Sequence, residues 1–366
     1  MSVDEQWMRL ALLLAQQGRG YVEPNPMVGA VVIDSSGQEA GRGWHQQFGG
    51  PHAEVFALQA AGKQARGGTL YVSLEPCSHH GKTPPCADAV IAVGIARVVI
   101  GCTDPAAHVN GQGIAKLRQA GIEVVVGVLE QEAQDLIAPF RTLMLSRRPF
   151  VHAKWAMTLD GRIASRSGHS QWISGPESRA IVHELRGQMD AMLVGIGTAL
   201  ADDPLLTARP PGPRTPLRIV LDSQLRLPLT SQLVCTAANV PVLVFHVATA
   251  AQERKAALGE AGIELIEVPN SKTGRLDINA VLQELGKRQV TNLLVEGGSD
   301  VLGAFFDADH IDEYHVFIAP KLIGGSGAPG PLGGQGLDQI PQVPSLKSTA
   351  VKQIQDDIYV NGRVNR

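Results

Sequence analysis

Two short stretches, "PHAE" (51–54) and "LEPCSHHGKTPPC" (74–86), decide how this sequence is interpreted. They hold a histidine, a glutamate two positions later, and two of the chain's four cysteines, nine positions apart. Both stretches lie among prolines and glycines, which are poor residues for the interior of a helix or a strand. The pattern therefore indicates a chemical site rather than a packed core element.

The composition is that of a soluble globular protein. Hydrophobic residues make up 44% and charged residues 18% of the 366-residue chain, which excludes wholesale disorder. A net charge of −3 offers no general attraction to nucleic acid or to an anionic membrane. Four cysteines do not make a disulfide framework, no apolar run is long enough for a membrane span, and Asp4 and Glu5 stand where a signal peptide carries positive charge. We therefore expect a cytoplasmic protein.

Helix-like and strand-like segments alternate along the chain. In the first part, a strand-like run at 27–33 is followed by helix–strand alternation, which ends in a helical stretch at 130–146. A second series of strand candidates follows, at 150–157, 190–194, 217–221, 242–246, 263–267, 292–295 and 314–319. Such alternation predicts largely parallel sheets covered on both faces. We expect two α/β domains, 1–147 and 148–366.

His52, Glu54, Cys77 and Cys86 suit a catalytic zinc site. One imidazole and two thiolates supply three ligands and leave the fourth position open for water. Zinc can lower the pKa of that water to about 7. An amine leaving group also needs a proton shuttle, and Glu54 is the natural candidate. These residue types predict a zinc-dependent hydrolytic deaminase.

The residues around the candidate ligands predict helix starts. Residues two apart in a helix point to nearly opposite sides, so His52 and Glu54 can converge only at a helix start, where Pro51 fits. Thr83 and the two prolines after it place Cys86 in a first turn. Helix N-termini stabilise thiolates. His79 and His80 are alternative ligands that we expect to face solvent or substrate.

The spacing of the two cysteines is longer than in the common deaminase signature P-C-x-x-C. With "EPNPMVGAVV" (23–32) and "GRGWHQQFGGPHAE" (41–54), it resembles the deaminase half of the bifunctional riboflavin-biosynthesis deaminase/reductase family. The resemblance implies a cytidine-deaminase-like three-layer domain. It also implies hydrolytic removal of the 2-amino group from 2,5-diamino-6-(ribosylamino)pyrimidin-4-one 5′-phosphate, a small phosphorylated pyrimidine.

The same resemblance implies roles for individual residues. Zinc would be bound by His52, Cys77 and Cys86, and Glu54 would be the proton donor. Asn25 would contact the base and Lys82 the substrate phosphate. Where the family has "DPNP", this chain has "DPAA" (104–107), so a substrate contact from that loop is not expected with the same residues.

The second half carries a weaker nucleotide-binding pattern of its own. "GIGTAL" (195–200) has only the first two glycines of a dinucleotide fingerprint. "LLVEGGSDVLGAFF" (293–306) predicts a strand, a Gly-Gly turn and a helix whose N-terminal N–H groups suit phosphate oxygens. A plain strand–helix connection explains this stretch equally well.

Four segments of the second half resemble the reductase half of the same family: "HAKWAMTLDGRIA" (152–164), "SGPESRAIVHELR" (174–186), "LVGIGTALADDPLLTAR" (193–209) and "VEGG" (295–298). The resemblance implies a dihydrofolate-reductase-like fold and NADPH-dependent reduction of the ribosyl group to ribityl. Lys154 and Asp202 are then the catalytic candidates, with Glu296 facing the substrate. Substrate-binding positions would be Ser170, Arg186, Leu206 and Arg209. Cofactor-binding positions would be Ala156, Trp172, Thr198, Asp202, Ser223, Gly298 and Ser299.

Two other functions fit the residues. One is a zinc deaminase of another nucleobase or nucleotide, fused to a reductase of a different substrate; RNA editing within this class needs a basic strand-binding surface. The other is a ligand-binding protein on an inactive deaminase scaffold, which has no chemical need for all four site residues. Family members commonly self-associate, so a homo-oligomer is expected from the resemblance.

Overall fold

The computed structural model describes residues 1–78, 84–106, 110–271, 274–340 and 344–365. The chain divides into two units, Met1–Arg147 and Arg148–Arg366, and each has its own sheet and its own hydrophobic core. Within these described ranges, no helix has the length and apolarity needed to cross a membrane.

The first unit is built on a five-stranded sheet. Its strands are β1 (Gly29–Ile33), β2 (Glu39–Trp44), β3 (Thr69–Leu74), β4 (Arg97–Cys102) and β5 (Glu123–Val126). They lie in the order β2-β1-β3-β4-β5. Strands β3, β4 and β5 are parallel, but β1 is antiparallel to both β2 and β3. The prediction of a largely parallel sheet is therefore wrong at this edge. The sequence pattern misses β2 because "EAGRGW" has two glycines and an arginine where a strand usually has β-branched residues.

Helices cover both faces of this sheet. They are α1 (Val3–Ala15), α2 (Ala53–Ala61), α3 (Cys86–Val93), α4 (Gln112–Gln119), α5 (Glu130–Leu136) and α6 (Ala138–Ser146). Gly29 faces Ala11 of α1, whereas Gly41, paired with Val32, faces Ala57 of α2. Positions 29 and 32 of one strand point to opposite sides, so α1 and α2 lie on opposite faces. This arrangement confirms the three-layer prediction.

The helix predicted at 130–146 is two helices instead of one. The first, α5, ends at Leu136, and α6 begins at Ala138. Pro139 occupies the first turn of α6, where its missing N–H costs no hydrogen bond, but it cannot continue a preceding helix.

The second unit contains a nine-stranded sheet. Its strands are β6 (Phe150–Thr158), β7 (Ala191–Gly195), β8 (Leu217–Leu221), β9 (Val242–His246), β10 (Glu264–Glu267), β11 (Asn292–Val295), β12 (Glu313–Ala319), β13 (Leu346–Ile354) and β14 (Asp357–Val364). The order is β10-β9-β8-β7-β11-β6-β12-β14-β13, and all strands from β10 to β12 are parallel. These seven strands confirm the predicted ones to within a residue at each end. The antiparallel hairpin of β13 and β14 was not predicted, because β13 is mostly polar and exposed and β14 mixes apolar residues with Asp357, Asn361, Gly362 and Arg363.

Among the described residues of this unit, six helices accompany the sheet: α7 (Pro176–Arg186), α8 (Ile196–Asp202), α9 (Gln232–Cys235), α10 (Gln252–Glu260), α11 (Ile278–Lys287) and α12 (Ser299–Asp307). Along β6, Val151 and Ala153 belong to the core on one face, so His152 and Lys154 point to the other. Helix α7 covers that second face, where its Val182 packs against the aromatic side chains of β12 and β14.

The close approach of α2 to β2 depends on glycine. A Cβ atom at Gly41 would lie 2.5 Å from Ala57 O and 2.5 Å from Ala61 N, which are both backbone atoms of α2. Gly43 is crowded by the same helix, with Phe56 Cβ 2.4 Å from its Cβ position. These two glycines allow α2 to lie directly on the strand.

We predict that Gly41→Ala destabilises the first unit by about 1–3 kcal/mol, because the backbone of α2 has to move to admit the methyl group. Urea unfolding of the full chain, followed by circular dichroism, measures the loss. The matched control is Gly259→Ala near the end of α10, where a Cβ meets no atom within 4 Å. The control is expected to change stability by less than about 1 kcal/mol. Equal stability of the two variants would contradict the prediction.

Candidate active sites

The structure brings together the three predicted zinc ligands. His52 Nδ1, Cys77 Sγ and Cys86 Sγ all lie within 4.8 Å of one another. The imidazole nitrogen is 3.6 Å from Cys77 Sγ and 3.3 Å from Cys86 Sγ. In a tetrahedral zinc site with bonds of about 2.3 Å to sulfur and 2.0 Å to nitrogen, these atoms are about 3.5 Å apart. The spacing and the donor types therefore both fit zinc.

Two helix N-termini deliver these ligands, as the sequence predicts. His52 is the N-cap residue of α2, and Cys86 is the first residue of α3 after Pro85. Cys77 follows β3, and the backbone N–H of Cys86 donates to its sulfur over 3.3 Å. The partial positive charge of each helix N-terminus favours anionic sulfur at this point.

The pKa values of Cys77 and Cys86 are shifted in opposite directions. Hydrogen bonds from Cys86 and His52 lower the pKa of Cys77 to about 4. The thiolate of Cys77, together with burial, raises the pKa of Cys86. A divalent cation at this position would stabilise both thiolates and remove that conflict.

Glu54 lies beside the ligands as the second residue of α2, with 2% of its surface exposed. Burial raises its pKa to about 6, against the opposing effect of His52. Its Oε2 atom has no hydrogen-bond partner among the described residues. A buried carboxylate oxygen without a partner is costly unless a ligand or water uses it, so Glu54 is placed to exchange a proton with a molecule bound at this site.

His45 is a site residue that the sequence analysis did not assign. It is buried, its Nδ1 lies 2.9 Å from Pro51 O, and its ring packs edge-on against His52 at 5.3 Å. A proton on Nδ1 therefore donates to Pro51, and Nε2 accepts from Asn25 Nδ2 at 3.2 Å. His45 therefore contacts both Asn25, the predicted base-binding residue, and His52, a predicted zinc ligand. The only sequence signal for His45 was its presence in a segment that resembles the family.

Glu75 holds the segment that follows β4. Its Oε2 accepts backbone N–H groups of Asp104 and Gly111, and its Oε1 accepts those of Gly113 and Ile114, all at 3.0 to 3.2 Å. The residue stands two positions before Cys77. One buried carboxylate therefore connects the segment before Cys77 to the loop that begins with "DPAA" (104–107), where the family has "DPNP". Residue 107 lies outside the described residues.

In the second unit, Lys154, Arg186 and Glu296 form a partly buried charge cluster. Arg186 binds Glu296 through two hydrogen bonds of 2.7 and 2.8 Å, and Lys154 Nζ lies 3.8 Å from Glu296 Oε2. Burial by itself would raise the pKa of Glu296, but Arg186 and Lys154 together lower it to about 2. Burial lowers the pKa of Lys154. Arg186, a predicted substrate-binding residue, is thus paired with Glu296, which is predicted to face the substrate.

Several predicted cofactor-binding residues meet at one edge of the sheet. Ser223 follows β8, Thr198 lies in the helix after β7, and Gly298 with Ser299 begins the helix after β11. Strands β8, β7 and β11 are parallel neighbours, so their carboxyl ends share an edge, which is where open α/β sheets bind ligands. Ala156 lies on β6, next to β11 in the same sheet.

The remaining predicted residues of the reductase site lie at or near the surface, except for Leu206, which is buried and has a φ of 49°. Ser170 Oγ is 3.4 Å from Asp202 Oδ1, and both are solvent-accessible. Trp172 is 63% exposed and lies under the guanidinium of Arg179, and Arg209 is exposed. Lys82, with His79 and His80, lies outside the described residues.

Comparisons with known proteins identify the family of each half of the chain. The model for the cytidine and deoxycytidylate deaminase zinc-binding region matches residues 1–102, and the RibD C-terminal domain matches residues 149–360. The riboflavin biosynthesis protein RibD of Actinobacillus pleuropneumoniae is 42% identical over 98% of this chain and 94% of its own length. The chain belongs to the RibD family.

Other relatives agree over the whole length. RibD of Escherichia coli K12 is 40% identical over 98% of both chains. The structure of Acinetobacter baumannii RibD has a TM-score of 0.86 and 36% identity, and covers 100% of this chain and 99% of its own. A Thermotoga maritima structure, named as a diaminohydroxyphosphoribosylaminopyrimidine deaminase/5-amino-6-(5-phosphoribosylamino)uracil reductase, has a TM-score of 0.85 and 38% identity, and covers 99% of both chains. The chain is therefore a bifunctional deaminase and reductase of riboflavin biosynthesis, as the sequence predicts.

We predict that Glu75→Gln loosens the segment from Asp104 to Ile114. An amide in place of the carboxylate directs an NH₂ group at two backbone N–H groups, so two hydrogen bonds are lost. Their loss lowers the local stability of the segment by about 2–4 kcal/mol. Hydrogen exchange of peptides covering this segment is expected to accelerate. The exposed Glu132→Gln in α5 is the matched control and should exchange as the unaltered chain does. If Glu75→Gln also exchanges at the unaltered rate, the carboxylate does not hold the loop.

Proposed function

We propose that the chain catalyses two successive steps: zinc-dependent hydrolytic deamination of 2,5-diamino-6-(ribosylamino)pyrimidin-4-one 5′-phosphate in residues 1–147, then NADPH-dependent reduction of the ribosyl to the ribityl side chain in residues 148–366. The observation that carries this proposal is the convergence of His52, Cys77 and Cys86 beside buried Glu54. The name of the Thermotoga maritima relative supports the choice of substrates.

In the first unit, His52, Cys77 and Cys86 hold zinc, which when bound supplies a Lewis acid for the activation of water. Glu54 accepts a proton from the attacking water on its unpartnered oxygen and delivers it to the departing amine. Asn25, oriented by His45, contacts the pyrimidine. Lys82, outside the described residues, is assigned to the substrate phosphate.

In the second unit, the bound NADPH supplies the hydride for C1′ of the opened ribosylamine. Lys154 is the acid that makes this carbon more electrophilic, because its lowered pKa makes its proton easier to transfer. Glu296 orients the Lys154 ammonium and faces the substrate, and Arg186 fixes Glu296 in turn. Asp202, bonded to Ser170, is the second candidate acid.

The binding of the two ligands follows the geometry of the sheet. The N-terminus of α12, at Gly298 and Ser299, offers N–H groups to the cofactor phosphates at the edge that Thr198 and Ser223 share. Ala156 and Trp172 complete the assigned cofactor residues. The substrate is assigned to Ser170, Leu206 and Arg209. The exposed guanidinium of Arg209 is suited to the substrate phosphate. Because zinc ligation requires reduced Cys77 and Cys86, we assign both reactions to the cytoplasm.

We predict that Glu54→Gln lowers the deamination rate by roughly 100-fold or more, since the amide cannot shuttle a proton. Zinc content should stay at the level of the unaltered chain. Reduction of the separately supplied deaminated intermediate should also be unchanged. Ammonia release, zinc content and NADPH absorbance are measured on the same preparation. Loss of both activities in a folded, zinc-replete variant would argue against separate sites.

The opposite separation is expected from Lys154→Met, which keeps the length of the side chain and removes its charge. NADPH oxidation on the deaminated intermediate should fall by roughly 100-fold, while ammonia release from the diamino substrate continues. The exposed Lys287→Met in α11 is the matched control and should leave both rates unchanged. If Lys154→Met reduces the intermediate at the normal rate, Lys154 is not the acid and Asp202 is tested next.

A further inference from the structure

A second cluster of metal-binding side chains lies in the reductase unit. His152, Glu313 and His315 each offer one ligand atom, and the three atoms lie within 4.8 Å of one another. His152 and His315 are each only 4% exposed. Neither the deaminase site nor the proposed reduction uses these residues.

The sheet itself brings the three side chains together. Glu313 of β12 is paired with His152 of β6, and His315 is paired with Lys154 two positions further along both strands. Directly paired residues, and residues two apart on one strand, point to the same face. The positions of the ligand atoms are therefore fixed by strand register rather than by a loop.

The distances in the cluster match those between ligands of one metal ion. His315 Nε2 is 3.3 Å from His152 Nδ1 and 3.5 Å from Glu313 Oε1. Two atoms bound tetrahedrally at about 2.0–2.1 Å from zinc are about 3.3 Å apart. A direct N–H···O hydrogen bond is usually about 2.9 Å long, so the approach of His315 to Glu313 is long for a hydrogen bond and suitable for shared coordination.

The outward-facing nitrogens of both imidazoles have partners that orient the rings. His152 Nε2 lies 3.2 Å from Asn292 Oδ1, and Asn292 Nδ2 donates to Thr291 Oγ1, which fixes the amide orientation. The proton of His152 therefore belongs on Nε2, and Nδ1 presents a lone pair to the cluster. His315 Nδ1 is 2.7 Å from Tyr359 OH and can donate to it. Outer hydrogen bonds of this kind are typical of metal-binding histidines.

We propose that His152, Glu313 and His315 bind a second zinc ion, which links β6 to β12 beside Lys154. Two imidazoles and one carboxylate are an established donor set for zinc. Glu313 is held by Asn361 at Oε1 and by Arg363 at Oε2, at 2.8 and 3.0 Å. Since Arg363 offsets the only anionic ligand, this site binds zinc more weakly than the site with two thiolates.

The competing arrangement contains a proton and no ion. In that arrangement Tyr359 OH donates to His315 Nδ1, and a proton on His315 Nε2 is shared with His152. Asn361 Nδ2, 3.3 Å from His315 Nδ1, is compatible with this second tautomer. A measurement of metal content therefore distinguishes the arrangement with a zinc ion from the arrangement with a proton.

The test is the zinc content per chain of the full-length, untagged protein after zinc loading and removal of unbound metal, measured by mass spectrometry of the elements. We expect two zinc ions in the unaltered chain and one in Cys77→Ala/Cys86→Ala, which lacks the thiolate site but keeps the second cluster intact. One ion in the unaltered chain and none in the double variant overturns the proposal. This comparison needs no substitution in the reductase unit, so a misfolded cluster cannot explain the result.

A second set of variants tests the ligand assignment. Glu313→Gln and His315→Gln should each hold one zinc ion and keep ammonia release unchanged. The matched control, His246→Gln, removes another buried histidine of the same unit and should hold two. Two ions in Glu313→Gln and in His315→Gln would overturn the assignment of these ligands.

Cobalt gives a spectroscopic check on the donor types. Cobalt loaded into Cys77→Ala/Cys86→Ala should show visible d–d bands without a thiolate charge-transfer band, because only nitrogen and oxygen ligands remain. These bands should be absent from the same chain carrying His315→Gln. Bands that persist in that chain, or no bands in either chain, would contradict the proposed site.

Discussion

The deaminase site depends on two helix N-termini that point at the same place. One brings His52 and Glu54, the other brings Cys86, and the segment before it brings Cys77. Each helix end adds a partial positive charge, which offsets the cost of burying thiolates close together. The position of α2 in turn depends on Gly41 and Gly43 of β2, because a Cβ atom at either position would clash with the helix. The packing of α2 on β2 therefore helps to place His52 and Glu54 at the predicted zinc site.

In the reductase unit, the main constraint is the partial burial of the charged side chains of Lys154, Arg186 and Glu296. Glu296 remains ionised in a partly buried position because Arg186 and Lys154 lie beside it and lower its pKa. Such a cluster is costly to break, since removal of one partner leaves an uncompensated buried charge. Its position next to the carboxyl edge of a parallel sheet places it where α/β proteins bind their ligands. The same face of the sheet carries the cluster of His152, Glu313 and His315.

Much of the fold was predictable from local patterns. Short apolar runs bounded by glycine or proline gave the buried parallel strands, since both faces of such strands are covered. The strands that the patterns missed are β2, β13 and β14, which are edge strands or next to the edge. β2 is rich in glycine, β13 is mostly polar, and β14 mixes apolar and polar residues. Their assignment depends on pairing with a neighbour rather than on their own hydrophobicity. The break between α5 and α6 was readable from Pro139, but helical periodicity on both sides obscured it.

The sequence by itself determined the alternating α/β architecture, the helix starts at His52 and Cys86, and the residue types suited to zinc and a proton shuttle. These features follow from local propensity and from the chemistry of single side chains. Only the tertiary structure decided that Arg186 pairs with Glu296, that His45 orients Asn25, and that Glu75 holds a loop some 30 to 40 positions away. It also decided that His152 meets Glu313 and His315 across more than 160 positions. Such contacts arise from strand register and helix packing, which no local pattern encodes.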